Sequence, residues 1–537
     1  MNIPRTAHED SFVRDNIPEP ALQPTFLFDR PELKFPERLN ASILLDRAVA
    51  AGHGDKDAVL WNNGRWSYND LLMRACQIAD FLKTQAGFVP GNRVMIHGLN
   101  SAMLLAIWWG VVRAGGVAVT TMPLLRPSEL LTIINKAEIS HAFVDSRLAD
   151  DYDSAAEKSA FIRATEYYND GGALETRLKA LRSFVEPAPT ASDDPALIAF
   201  TSGTTGMPKG CVHFHRDILA MAETFSRHTV QPKSDDVFCA TPPFAFTFGL
   251  GASVVFPAAC GAASAITSGP GVEPLLEALE RHRVTTLFTA PTAYRGMLSL
   301  PSSHFANLHT CVSAGEHLPR AISEGWHELT DIRLIDGIGA TEMIHIFISA
   351  SGAAVRPGST GQVVPGYAAQ IVDENMNIVP DGEIGRLAVR GPTGCRYLAD
   401  KRQTDYVKEG WNLTGDLFRK DEDGYFWYVS RSDDMIISSG YNIAAPEVEN
   451  ALLSHPDIEE TAVVGVADEK RGQICKAFIV LANDCDNVAA KTRELQEHVK
   501  CLIAPYKYPR EIEFVKELPK THTGKLQRYK LKDQSTA

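Results

Sequence analysis

The chain has 537 residues, 45% hydrophobic and 22% charged, the balance of an ordinary globular protein. Its length exceeds what one core supports, so two or more domains are expected. A formal charge of -13 gives no broad attraction for nucleic acid or anionic membrane, and neither is expected as a partner. The nine cysteines are scattered without CxxC or Cys/His spacing, which argues against a disulfide framework or a zinc site. With no apolar signal core at the start and no run of ~20 apolar residues, the cytoplasm is the expected compartment.

Taken in chain order, residues 93–98 read as a strand, 102–114 as a helix, 116–120 as a second strand, and 126–130 open a further helix. Such alternation indicates βαβ units and a parallel sheet. A third apolar run, 196–200, leads into the hydroxyl- and glycine-rich segment 201–210. The alternation resumes at 284–288, 309–315 and 333–337. From about Gln362 the pattern changes to short strands with turn punctuation, at 370–373 and 385–390, a small β-rich lobe. The polar cluster Arg431-Ser432-Asp433-Asp434 then precedes a compact α/β remainder, so a boundary is expected there, giving a large domain over 1–430 and a small one over 431–537. The fold class is α/β, with α/β subdomains and the β-rich lobe in the large domain.

Segment 201–210 reads Thr201-Ser202-Gly203-Thr204-Thr205-Gly206-Met207-Pro208-Lys209-Gly210. Glycines admit backbone N–H groups close to a polyphosphate and hydroxyls add donors, so this is a candidate phosphate cradle. It is not a Walker loop, because Pro208 stands where the second glycine belongs and Gly210 where the magnesium-binding hydroxyl belongs. Further candidates follow in order: Ser313-Ala314-Gly315-Glu316, Asp336-Gly337-Ile338-Gly339-Ala340-Thr341-Glu342, Thr414-Gly415-Asp416, Arg431 to Asp434, Ser439-Gly440-Tyr441, and Thr523-Gly524-Lys525.

Together these segments resemble the signatures of the adenylate-forming superfamily of acyl-CoA synthetases, aryl-CoA ligases and luciferases, over roughly the whole chain. The stretches 336–347, 6–15 and 120–126 look most like the benzoate-CoA and 2-aminobenzoate-CoA ligases. The resemblance implies ATP, Mg2+ and coenzyme A as the small molecules used, with an aromatic carboxylic acid as substrate, and a monomer or homodimer. It implies that Thr201 to Gly206, with Lys209, Ala314, Gly315, Glu316, Asp336, Gly337, Ile338 and Gly339, bind ATP or AMP. Asp416 would accept from the ribose hydroxyls and Arg431 would add a ribose or phosphate contact. Thr341 would meet phosphate, Glu342 would hold the magnesium, and Lys525 would be the catalytic lysine. Asp433 is then the hinge about which a mobile C-terminal domain turns, and Ser439, Gly440 and Tyr441 line the CoA tunnel.

For the acid, the resemblance points to the segments 243–251 and 337–347. Phe246, Phe248, Gly249, Ile338, Gly339 and His345 are the candidate pocket, since flat apolar walls suit an aromatic ring. The run supplies a third phenylalanine, Phe244, and at least one of these side chains is expected to be ordinary core. His345 either hydrogen-bonds an ortho substituent or fills the pocket floor. Phe246 stands where many family members carry a histidine. The leading expectation is an AMP-forming aryl-CoA ligase. The alternatives are an adenylating enzyme that loads a carrier protein and a non-catalytic ligand-binding relative.

Overall fold

The structure is a computed structural model that describes all residues except 1–5, 86, 170, 182–183, 202–207, 433, 439–440, 469–470, 484, 486, 521–525 and 537. The described residues form four sheets. One has the spatial order Ala164–Tyr168, His141–Asp145, Arg93–His97, Val117–Thr121, Pro195–Thr201, Lys209–Phe214. Its members run parallel except the last, which folds back antiparallel on Pro195–Thr201. Arg93–His97 and Val117–Thr121 are buried at every position, as expected of parallel strands covered on both faces. The helix Ala102–Arg113 crosses between them; the Ser101 hydroxyl accepts from the Leu104 N–H and caps it.

The second sheet carries nine strands. Its centre is parallel, in the order Ile335–Gly339, Thr310–Ala314, Thr286–Thr289, Val237–Ala240, Ala263–Ala265, Asp57–Trp61. Antiparallel strands close both edges, Gly64–Ser67 on one side and Ile346–Ser349 with Gln362–Val363 on the other. Gln362 therefore belongs to this sheet and not to the β-rich lobe, because Ile346–Ser349 offers an edge whose backbone groups Gln362–Val363 satisfy. The lobe itself starts at Ala368–Val372 and is wholly antiparallel, with Ile384–Arg390, Trp411–Lys420, Val407–Lys408 and Phe426–Arg431.

The fourth sheet is built from Met435–Ser438, Tyr441–Ala444, Gly472–Leu481, Ile458–Asp468 and Glu511–Phe514, with the helices Ala445–Leu453 and Val488–Leu502 packed on a separate small core. The chain is thus α/β, with a large N-terminal body and a small C-terminal one. Among the described residues no helix is long and apolar enough to cross a membrane.

Candidate active site

Two of the sequence-derived segments end side by side. The strands Thr310–Ala314 and Ile335–Gly339 are parallel neighbours, with Ser313 opposite Asp336 and Ala314 opposite Gly337. Their carboxyl ends, which carry Gly315-Glu316 and Thr341-Glu342, form the kind of edge at which open α/β sheets bind ligands. Gly315 has φ of 92°, a left-handed conformation that suits glycine, and directs the half-buried Glu316 along that edge. Burial holds the Asp336 carboxyl well above the usual carboxylate range.

The hairpin of the first sheet reaches the same edge. Thr201 pairs with Lys209 and Phe200 with Gly210, so Lys209 and Gly210, the last two residues of the candidate cradle, open a strand. Pairing along the full length of 195–201 satisfies backbone groups that a loop would leave open. The Thr201 Oγ1 is buried and has no hydrogen-bond partner among the described residues. Ser202, Gly203, Thr204, Thr205 and Gly206 lie outside those residues.

One residue that sequence reasoning missed joins the two sheets. The Lys209 ammonium donates to the Tyr397 hydroxyl at 2.8 Å, and that hydroxyl donates to Glu342 Oε1 at 2.5 Å. Lys209 itself stands 3.6 Å from the same carboxylate oxygen. The cation compensates a carboxylate that is only 8% exposed and would otherwise be costly to bury. Glu342 Oε2 accepts no hydrogen bond from the described residues. The Gln403 side-chain carbonyl accepts from the Tyr397 N–H at 3.0 Å, and the Tyr397 ring meets Tyr406 edge-on at 5.8 Å. A lone tyrosine between Arg396 and Leu398 carries no local sequence signal of a functional residue.

Thr341 is held from behind. His213, fully buried on the strand Lys209–Phe214, lies with Nε2 2.8 Å from the Thr341 carbonyl. A carbonyl only accepts, so Nε2 carries the proton. Burial lowers the His213 pKa to about 4, which keeps the ring neutral.

The turn after Glu342 separates two environments. Ile344, a β-branched residue, adopts φ 65° and ψ −36°, an uncommon conformation held by its buried surroundings. Beyond it His345 is 3% exposed, with its ring centroid 4.7 Å from Phe256, 5.3 Å from Phe225 and 5.7 Å from Phe248. Neither ring nitrogen has a hydrogen-bond partner among the described residues, and burial lowers its pKa to about 3. A methyl on Gly251 would come within 2.5 Å of His345 Nε2, and one on Gly339 within 2.8 Å of the His345 carbonyl oxygen. Phe248, Gly339 and His345 are therefore brought together. Of the three phenylalanines, Phe244 is ordinary core at 3% exposure, whereas Phe246 and Phe248 are half-buried. Phe246 makes no aromatic ring pair among the described residues. Gly249 sits where a Cβ would approach the Pro243 carbonyl oxygen to 2.3 Å, so only glycine lets this turn close. Ile338 is half-buried and pairs with Ile348 across the sheet edge.

Asp416 and Arg431 face each other across antiparallel strands and form an ion pair at 3.0 Å. Arg431 also donates to the Thr414 carbonyl at 3.2 Å. Asp433, Ser439, Gly440 and Lys525 lie outside the described residues, and Tyr441 opens the strand Tyr441–Ala444. The neighbours of Lys525 are described: Leu526 pairs with Lys520, and Arg528 holds both oxygens of Glu449 at 2.7 Å. Arg528 lies close enough to His317, next to Glu316, to help burial lower that imidazole to about 4. His317 stacks on Tyr428 at 5.3 Å, and the Asn450 amide of the small body reaches it at 3.3 Å. Arg528 and Asn450 of the small body thus lie against His317, next to Glu316.

Residues 46–397 match the model of the AMP-binding enzyme family and residues 447–525 that of the AMP-binding enzyme C-terminal domain. The chain belongs to the AMP-binding enzyme family. It is 35% identical to the benzoate–CoA ligase of Thauera aromatica over 94% of this chain and 97% of that protein. Among solved structures it is similar to the anthranilate CoA ligase AuaEII in complex with anthranoyl-AMP, at a TM-score of 0.90 and 32% identity, covering 94% of this chain and 99% of the other. It is also similar to a benzoate CoA ligase from Burkholderia xenovorans LB400, at a TM-score of 0.85 and 31% identity, covering 92% and 99%.

Proposed function

We propose that this AMP-forming aryl-CoA ligase activates 2-aminobenzoate or benzoate. A carboxylate oxygen of the acid attacks the α-phosphorus of ATP and pyrophosphate leaves. The CoA sulfur, its proton released, then attacks the acyl carbon, and AMP leaves with the bonding pair. One observation carries this reading: a single turn at Ile344 sets Glu342, bonded to Tyr397 near Lys209, beside His345 in its aromatic enclosure. Nucleotide and ring are thereby held on one short segment, with their reacting ends adjacent.

In this reading Thr201 to Gly206 and Lys209 bind the departing phosphates, and Ala314, Gly315, Glu316 and Asp336 to Gly339 border the nucleoside. Asp416, oriented by its ion pair with Arg431, takes the ribose hydroxyls, and Arg431 adds a ribose or phosphate contact. Thr341 meets the phosphate and Glu342 would hold Mg2+, its unengaged Oε2 suiting a hard cation that binds through one or two carboxylates. The ion neutralises phosphate charge when bound. Lys525 stabilises charge gathering on the α-phosphate, and rotation of residues 431–537 about Asp433 later exchanges it for Ser439, Gly440 and Tyr441, which border CoA. The cytoplasm, where ATP and CoA are available, is the compartment this chemistry fits.

A panel of benzoate, aminobenzoates, hydroxybenzoates and short fatty acids, assayed for CoA-dependent AMP release, tests the assignment. The highest kcat/KM is expected with 2-aminobenzoate or benzoate. Preference for a fatty acid would overturn it.

A further inference from the structure

Glu460 lies on the strand Ile458–Asp468 of the small body, with its side chain 19% exposed. Its Oε1 accepts from two cations. One is Arg295, at 3.1 Å, on the helix Pro291–Met297 that starts at the carboxyl end of the central strand Thr286–Thr289. The other is Lys520, at 2.6 Å, which pairs through its backbone with Leu526, the neighbour of Lys525. One carboxylate oxygen therefore ties the arm leading to Lys525 to a helix at the ligand-binding edge of the nine-stranded sheet. Half-buried charge pairs are screened less than surface ones and fix orientation more than they add stability.

We infer that Glu460 is a positioning residue for adenylation: its bridge between Arg295 and Lys520 holds the paired residues Lys520 and Leu526, which flank Lys525 in sequence, to the helix Pro291–Met297. This inference rests on the proposed role of Lys525 and adds what holds that segment in place. The bridge belongs to the adenylating arrangement alone, because turning the small body carries Glu460 away from Arg295. It follows that loss of Arg295 slows the first half-reaction and leaves the second unhindered. Arg295 is the more selective residue to change, since its removal keeps the Glu460–Lys520 contact.

The test measures both half-reactions in the full-length enzyme: acid-dependent pyrophosphate exchange, and thioester formation from supplied acyl-adenylate and CoA. Arg295→Ala is expected to slow exchange about tenfold while thioester formation stays within twofold and thermal stability is unchanged. Arg295→Glu should be worse, whereas Arg295→Lys, which keeps the cation, should recover part of the loss. Equal loss of both half-reactions in Arg295→Ala, or a loss in Arg295→Lys as large as in Arg295→Ala, overturns the inference. Lys525→Ala run alongside separates the two levels. If it keeps pyrophosphate exchange, the catalytic role of Lys525 fails. If it loses exchange while Arg295→Ala does not, only the docking role fails.

Discussion

At the scale of single residues, Tyr397 and His345 show how a buried polar atom reports on function. The Tyr397 hydroxyl takes a hydrogen bond from Lys209 and gives one to Glu342, so removing it leaves cation and carboxylate without a shared partner while the ring packing survives. A hydrogen bond to a charged group contributes about 2 kcal/mol. Tyr397→Phe is therefore expected to raise the KM for MgATP by roughly thirtyfold, with the KM values for acid and CoA little changed; a uniform fall in kcat alone would point to a packing role. Nucleotide titration calorimetry at varied Mg2+ reads the same effect without turnover. His345 presents the opposite case, two buried nitrogens with no partner in the described structure. An unpaired buried donor or acceptor costs about 1–3 kcal/mol, so His345→Leu is expected to keep or raise the melting temperature. The same change should lower kcat/KM for 2-aminobenzoate against benzoate by roughly tenfold, because a site that offers a hydrogen bond discriminates against the analogue that cannot use it. An unchanged ratio would assign the ring to the pocket floor.

At the scale of elements, the pocket wall depends on one turn. The short helix Thr247–Leu250 follows immediately after Phe246, whose N–H donates to the Pro243 carbonyl at 3.0 Å, and a Cβ on Gly249 would lie 2.3 Å from that same carbonyl oxygen. Backbone must then give way, which moves Phe246 and Phe248 together. Gly249→Ala is expected to raise the KM for the acid at least tenfold with the KM for ATP unchanged; parallel changes in both would show that the turn supports the whole site. The strands that build this region were readable in the sequence because buried parallel strands carry apolar cores, as at Val94 to Ile96, Cys311-Val312 and Leu334-Ile335. Glu342 was readable because its neighbours in sequence form a recognisable segment. Tyr397 and His213 were not, since each becomes meaningful only when the strand Lys209–Phe214 is laid beside residues 396–398 and the turn at Thr341. The strand start at Lys209 is hidden for the same reason: local composition shows glycine and hydroxyls, while the pairing with Thr201 is decided by the partner strand.

At the scale of the whole molecule, several imidazoles are buried neutral in places far apart. Burial lowers His97, His213 and His317 to about 4, and His215 and His345 to about 3, from an ordinary value of 6.5. Above 6.5 the ring is neutral in folded and unfolded chains alike, and the full stability is present. As pH falls below 6.5 the unfolded chain takes up protons that the folded one refuses, so stability is lost down to the folded pKa and then levels off. Each such histidine therefore opposes folding as pH falls through that window, and together they weigh against the roughly 5–15 kcal/mol that holds a typical domain folded. Asp336 runs the other way, since a carboxyl whose pKa burial has raised favours the folded state at low pH, but it is one group against several. The melting temperature is therefore expected to be flat from pH 8 to about 6.5 and to fall steeply between about 6.5 and 4. His345→Leu should shift that fall to lower pH, because one of these protonations is removed. A melting temperature independent of pH across this window, or an unshifted fall in the variant, would mean that these rings gain partners which keep them protonated in the folded chain.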